Sequence, residues 1–534
     1  MVRVHRRFVD IDGRQVHCRI AGSGPALMLI HQSPQNSRMW REVMQRYAAQ
    51  FTVIAPDTPG FGYSDPLPQA DADLAAFGRA TWQLVQALGL ERVAVMGMHT
   101  GGLIATWLAW AHPQAVSALV VDGYAAFTPE ESVLYGDAYL PPFVPTWEGA
   151  HLRWLWSRIR EQKYFFPWYD GRGQAAMAIA PATAQETHDA VMDVLDVGDH
   201  YRAGYRAAFR HNDHHWLREL RTPALLVYRH GDPLLAHRPR LAGLPPHVQV
   251  VEEPGGLQAM LTRLDDWLPA RLAREQAASL SPGIPSVPGR WRRVIVTADA
   301  GDVAGWLLAG PGTLEVHLHA PGSAAFVPAQ FAHVQGPQLL IDLPGHGASC
   351  EIGATLDVAT MVDGISALVE AVSGDASLLL QLHGAAAAYL PGLAARFGER
   401  LQRASLRMPW LLTAEEQCCL LDGLPTTRIE RAGGHMDDAW QWERERHLLW
   451  PWLKPTAAAR RLVDAPEPAQ VHANVVELLR LGPRLRPMLE AATPPDLAAQ
   501  LRALSLPLHV ASEAANDYLG RAAALLSPQE EPYA

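Results

Sequence analysis

Past residue 290 this chain begins to repeat itself. The segment Asp57-Thr58-Pro59-Gly60-Phe61-Gly62-Tyr63-Ser64 returns as Asp342-Leu343-Pro344-Gly345-His346-Gly347-Ala348-Ser349, and Met96–Gly102 returns as Leu380–Ala386. Phe127-Thr128-Pro129-Glu130-Glu131 recurs as Leu412-Thr413-Ala414-Glu415-Glu416, and Pro167-Trp168 as Pro451-Trp452. Three histidine pairs, His99/His383, His151/His435 and His188/His472, each stand 284 residues apart. A 534-residue chain is too long for one hydrophobic core, so the repeat predicts two domains of similar kind. The Pro/Gly/Ser-rich stretch between the copies carries no periodic pattern and reads as a linker. The expected division is a first domain over 1–275, a linker over 276–290 and a second domain over 291–534.

Composition narrows the function classes. Hydrophobic residues make up 49% and charged residues 19%, as in an ordinary globular enzyme. The net charge of −10 is spread without a basic stripe, which argues against a nucleic-acid partner. No run nears the 18 or so apolar residues of a membrane span, and the charged start MVRVHRRFVDIDG has no signal-like apolar core. Cys18, Cys350, Cys418 and Cys419 make no disulfide framework, so reduced thiols and a cytoplasmic location are expected.

Short apolar runs alternate with helical patterns through the first copy: Ala26–Ile30, Thr52–Ala55, Val93–Met96, Ala118–Val121 and Ala224–Tyr228 read as strands. Strands joined by helical crossovers make an α/β fold with a mostly parallel doubly wound sheet, and function belongs at the strands' C-terminal ends. Residues 125–220, rich in Trp, Tyr and His, read as a helical cap over that edge, with a cap-like counterpart at about 412–500. The second copy stops soon after the counterpart of Asp232, so it is expected to be C-terminally truncated, without the last strand and helix.

At the end of the third internal strand stands Gly97-Met98-His99-Thr100-Gly101. This pattern resembles the nucleophile elbow of the α/β-hydrolase superfamily, a sharp strand-to-helix turn that exposes its central side chain. The resemblance covers nearly the whole chain as two tandem copies. It implies a triad of nucleophile, acid and terminal histidine, and this sequence departs from it. His99 stands where serine is usual, Leu257 stands where the histidine base belongs, and Asp232 keeps the acid position. The resemblance also implies an oxyanion hole from the backbone N–H groups of Gln32 and Thr100, which need no particular side chain.

His99 titrates near neutrality and can act as base or nucleophile, with Asp232 and the cap residue His151 as its catalytic partners. Substrate-contacting candidates are His31, Ser33, His188, Trp154 and Arg153, with Arg158 a further candidate for holding a carboxylate. No cofactor is called for; a metal held by His99, His151 and His188 is the minor alternative. The second copy has lost the first elbow glycine, and Ala320-Pro321 replaces Gln32-Ser33. It reads as a built-in dimer partner without a working site. The leading expectation is an enzyme that hydrolyses a small, partly apolar carbonyl, ester or C–C substrate. A lyase or isomerase using His99 for proton transfer, or a non-catalytic binding protein, are the alternatives.

Overall fold

The computed structural model describes residues 2–136, 138–177, 179–272, 275–280, 289–353, 355–449, 456–461, 464–511 and 517–526. The repeated pair Pro451-Trp452 and the middle of the expected linker lie outside them. The chain divides into two compact units, Met1–Val144 with Trp154–Pro285, and Pro145–Arg153 with Ser286–Ala534. The second unit thus includes a nine-residue piece of the first copy's cap. Among the described residues no helix is long and apolar enough to cross a membrane.

The first unit holds an eight-stranded sheet: β1 (His5–Ile11), β2 (Arg14–Ala21), β3 (Ala26–Ile30), β4 (Thr52–Pro56), β5 (Val93–Met98), β6 (Val116–Asp122), β7 (Ala224–Arg229) and β8 (Val248–Glu253). Their spatial order is β1-β2-β4-β3-β5-β6-β7-β8. The β1–β2 and β2–β4 pairs are antiparallel and the rest parallel. β3 to β6 are almost wholly buried, as parallel strands with both faces covered must be. One face packs under the helices Arg41–Tyr47 and Gly256–Leu272 through Leu27, Leu29, Val53, Met96, Val120, Met44 and Leu264.

The second unit has β9 (Trp291–Ala298), β10 (Gly301–Leu308), β11 (Leu314–Leu318), β12 (Gln338–Ile341), β13 (Leu378–His383), β14 (Leu401–Arg407) and β15 (Leu508–Ala511). Their order, β15-β14-β13-β11-β12-β10-β9, retraces the first sheet without an eighth strand among the described residues. The helix Asp517–Leu526 follows β15 and contacts the helix Leu497–Arg502. Glu315, His317, Gln338, Gln381 and Ser405 stand at the register positions of Leu27, Leu29, Val53, Met96 and Val120. Where the first unit has the helix Arg41–Tyr47, the second has only the 3-10 turn Pro328–Phe331. A sheet face without that apolar cover must satisfy its own polar groups. It does so through His317 to Gln338 at 2.7 Å, Gln338 to Glu315 at 3.2 Å and Gln381 to Glu315 at 2.6 Å.

The repeated motifs are hydrogen-bonded devices. In the Asp57–Ser64 loop, Ser64 Oγ donates to Asp57 O and accepts from His17 N; in Asp342–Ser349, Ser349 Oγ donates to Asp342 O and accepts from Ala304 N. Gly62 and Gly347 sit at φ +52° and +45°, each where a Cβ would strike the loop's own aspartate. Thr128 and Glu131 exchange reciprocal bonds at a helix start, and Thr413 and Glu416 repeat them, a capping box that satisfies first-turn N–H groups.

The strand ladders correct one reading. Gly97 pairs with Ile30, whereas Leu382 pairs with Leu318. His31 and His319 follow these β-strands with matching partners: each Nδ1 meets the next residue's carbonyl, and each Nε2 accepts a backbone N–H, from Thr58 and Leu343. His383 therefore matches Met98, and Gly384 matches His99. Gly384 carries the positive φ of +56°, while His383 is extended at φ −102°. Histidine occupies the turn of the first copy alone. The pair His151/His435 keeps its spacing as local structure: His151 Nδ1 accepts from Thr146 N and His435 Nδ1 from Glu430 N, five residues back in each.

Candidate active site

β5 ends in a turn whose apex is His99, at φ 46° and ψ −111°, and the helix Thr100–Ala111 starts at once. That conformation is sparsely populated for an L-residue and persists only where the surroundings impose it. Here it aims the imidazole at the C-terminal edge of the sheet. His99 Nε2 meets Asp232 Oδ2 at 2.7 Å, and Asp232 follows the end of β7. The His99 side chain is 22% exposed and that of Asp232 5%. A second pair lies beside them: Arg229 Nε donates to Asp122 Oδ1 at 2.8 Å, where Asp122 is the last residue of β6.

Burial by itself would lower the pKa of His99, but the Asp232 charge and hydrogen bond outweigh it and the net shift is upward. Burial would raise that of Asp232; His99 reverses this, and the carboxyl is held below its usual range. Burial raises the Asp122 pKa, with Arg229 opposing.

These groups open on a cavity of about 380 Å³ in the first unit. Its floor includes Gln32, Ser33, His99, Thr100 and Asp232; its walls include Phe127, Tyr139, Phe166, Tyr205 and Phe209 from the cap side. The backbone N–H groups of Gln32 and Thr100 meet no acceptor among the described residues. Thr100 heads its helix, so its N–H is one of the four that a helix start leaves unpaired. Two free donors and an imidazole on one small cavity can polarise a carbonyl and move a proton.

Six of the residues singled out from the sequence do not line this cavity, the buried Arg158 among them. His31 is buried as the brace between Gln32 and Thr58, with both ring nitrogens engaged. His188 is buried on the helix Ala184–Val197. Trp154 packs near Phe143 and Trp168. His151 belongs to the second unit, where its Nε2 meets His472 Nδ1 at 3.0 Å. Arg153, also there, is exposed and pairs with Asp437. No group of three or more His, Cys, Asp or Glu among the described residues has metal-holding geometry. Leu257 packs against the core.

Sequence reasoning missed Asp122, Arg229 and the cap residue Asp193. The first two stand at strand C-termini, a signal that was there to be used. Asp193 lines the cavity, and its Oδ1 accepts from Asn36 Nδ2 at 3.0 Å and Arg38 Nη2 at 3.1 Å. Burial pushes its pKa up to about 6 against the pull of Arg38. In the second unit, Ala125 of the cavity wall is matched in register by Trp410, whose indole Nε1 lies 3.1 Å from where a Gly384 Cβ would stand.

A family model described as alpha/beta hydrolase fold matches residues 25–259. The chain is 38% identical over 135 residues to an uncharacterized protein of Mycobacterium tuberculosis, covering 25% of this chain and 39% of that one. It is 36% identical over 120 residues to a fluoroacetate dehalogenase of Burkholderia sp, covering 22% and 40%. It is 38% identical over 111 residues to a soluble epoxide hydrolase of Corynebacterium sp., covering 21% and 38%. The matched stretch thus spans about two fifths of the length of each relative.

Proposed function

We propose that the first unit, whose residues 25–259 match a family model described as alpha/beta hydrolase fold, hydrolyses a small, partly apolar carbonyl or ester compound at a site centred on His99, without a serine nucleophile. The observation that carries this reading is the 2.7 Å bond between His99 Nε2 and Asp232 Oδ2 at the apex of the elbow turn. With the Nε2 proton shared with Asp232, Nδ1 is the nitrogen left to work. It takes a proton from water, and the water oxygen attacks the carbonyl carbon. The carbonyl electrons move onto an oxygen held by the Gln32 and Thr100 N–H groups. Collapse expels the leaving group, which recovers the proton from the imidazolium. Asp232 stabilises that imidazolium and keeps the ring in one tautomer. A positioned base contributes roughly 10²–10⁴-fold and each oxyanion donor about 10²–10³-fold.

The second unit reads as a non-catalytic copy from an internal duplication, because Gly384 and Trp410 stand where the first has His99 and Ala125. Its role is structural support. Cys18, Cys350, Cys418 and Cys419 form no disulfide among the described residues, which suits a reducing, cytoplasmic setting.

Hydrolysis of 4-nitrophenyl butyrate by wild type, His99→Gln and Asp232→Asn tests the site. His99→Gln should lose about two orders of magnitude or more in kcat/KM. An undiminished rate in that variant, or robust labelling of the wild type by a serine-directed fluorophosphonate, sinks the proposal.

A further inference from the structure

Arg158 is 1% exposed, yet no carboxylate pairs with it among the described residues. Its Nη1 donates to Gln162 Oε1 at 3.1 Å, while Nε and Nη2 have no hydrogen-bond partner there. Three aromatic rings enclose it, with its central carbon 5.7 Å from the Tyr139 ring centre, 5.5 Å from Trp168 and 5.3 Å from Tyr201. Burying a cation without a counter-ion is costly, and π-faces offset only part of that cost. A charge kept under those conditions marks a site that awaits an anion.

Arg158 sits directly behind the cavity wall. Gln162 and Tyr205 both line the cavity and both face the guanidinium from its other side. Because Arg158 takes the amide oxygen of Gln162, the Nε2 hydrogens of that amide are the free donors. Burial raises the Tyr205 pKa, with the neighbouring Arg158 charge opposing it, so the phenol keeps its proton and can donate it in a hydrogen bond. Lys163, next along, lines the cavity too; among the described residues it makes no close ion pair, although Glu186 feels its charge. Lysine is scarce in this chain, which has Lys163 and Lys454 and no other. The remaining charged groups of the lining are already matched: His99 with Asp232, Arg229 with Asp122, His230 with Glu252, Asp193 with Arg38.

We propose that Gln162, Tyr205 and Lys163, backed by the buried Arg158, form a carboxylate subsite, so that the ligand of this cavity is a small organic acid. This deepens the hydrolase reading by naming its substrate class. The acid's carboxylate sits at the cap wall, and its reacting carbon faces His99 and the Gln32 and Thr100 N–H groups. Arg158 is a positioning residue, acting through Gln162 and Tyr205.

Calorimetric titration of the full chain with phenylacetate and with the isosteric, uncharged phenylacetamide tests the subsite by binding alone. Wild type should prefer the acid by about tenfold or more, the factor that one tenfold step in Kd represents. Gln162→Leu, which leaves the aromatic cage intact, and Arg158→Met should both abolish that preference without weakening the amide. Arg158→Lys should restore part of it, which a merely structural brace would not do. Equal binding of acid and amide to wild type, binding of neither, or a preference that survives Gln162→Leu overturns the proposal. The same titration on His99→Gln separates the two readings: an intact acid preference without any wild-type turnover leaves the subsite standing and removes the hydrolase chemistry.

Discussion

The imidazole of His99 lies against Gly123, at φ +70°, where a Cβ would come within 2.7 Å of Cδ2, 2.8 Å of Nε2 and 3.2 Å of Asp232 Oδ2. Gly123→Ala should therefore cost only roughly 1–2 kcal/mol of backbone strain but push the ring off its aspartate. Steady-state kinetics should show a loss of about 10²-fold in kcat, larger than any change in the unfolding midpoint explains. The pH profile is a second test. His99 works as a base when neutral, and its pKa is raised above 6.5, so kcat/KM should climb with pH through a single ionisation above that value. In Asp232→Asn burial is left unopposed by the carboxylate, and the midpoint should move below 6.5 while the plateau falls. The same pair sets a stability window. The raised His99 pKa contributes fully below 6.5 and is lost as pH rises through its folded value; the lowered Asp232 pKa contributes above 3.8 and is lost as pH falls through its own. Between those limits both contribute. Of this site the sequence made His99, Asp232, Gln32 and Thr100 legible, because glycines mark the elbow and backbone donors follow from it. Arg158 could be singled out as a carboxylate candidate but not told apart from Arg153, since nothing along the chain shows that Tyr139, Trp168 and Tyr201 enclose it.

Elements repeat between the units while their electrostatics diverge. Asp57 accepts from Ser37 N and Tyr63 N and from His17 Nδ1 at 2.8 Å; burial raises its pKa, but His17, His31 and Arg19 outweigh that and hold the carboxyl far below the usual range. Its counterpart Asp342 accepts from Ala348 N, and burial raises its pKa to about 7. The folded state then binds the Asp342 proton more tightly than the unfolded chain, so this group lowers stability as pH rises from about 4 to 7. Asp342→Asn should flatten that loss in urea titrations across this range, with little effect at the acid end. Asp57→Asn should instead cost roughly 1–3 kcal/mol near neutrality, because it leaves buried hydrogen-bonding groups mismatched. Trp410 belongs to the same comparison. Trp410→Ala empties a buried indole site and should cost about 3–5 kcal/mol, while ester hydrolysis at the first unit's cavity stays at the wild-type rate.

For the whole molecule, the unexpected fact is that Pro145–Arg153, from the first copy's cap, clusters with the second unit. There Arg153 pairs with Asp437, His151 with His472, Trp440 Nε1 donates to Trp147 O, and Arg444 covers the Trp147 ring at 4.1 Å. A chain cut after residue 285 loses all of these partners. It should show lower thermal stability and earlier proteolysis near Trp147 than the full chain, by limited digestion and mass spectrometry. The sequence alone determined that there are two similar sheets and where the elbow turn falls. Glycines at enforced turns, capping boxes and short apolar runs are local, so they survive in the order of residues. Tertiary structure decided the register and the company each side chain keeps. A count of 284 residues made His383 the partner of His99. The two copies differ by one residue between the elbow and the cap, and only the strand ladder, where each residue must face one neighbour, shows that Gly384 holds the turn. Which histidine reaches a cavity, and which arginine is buried without a counter-ion, depend on contacts between residues far apart in the chain.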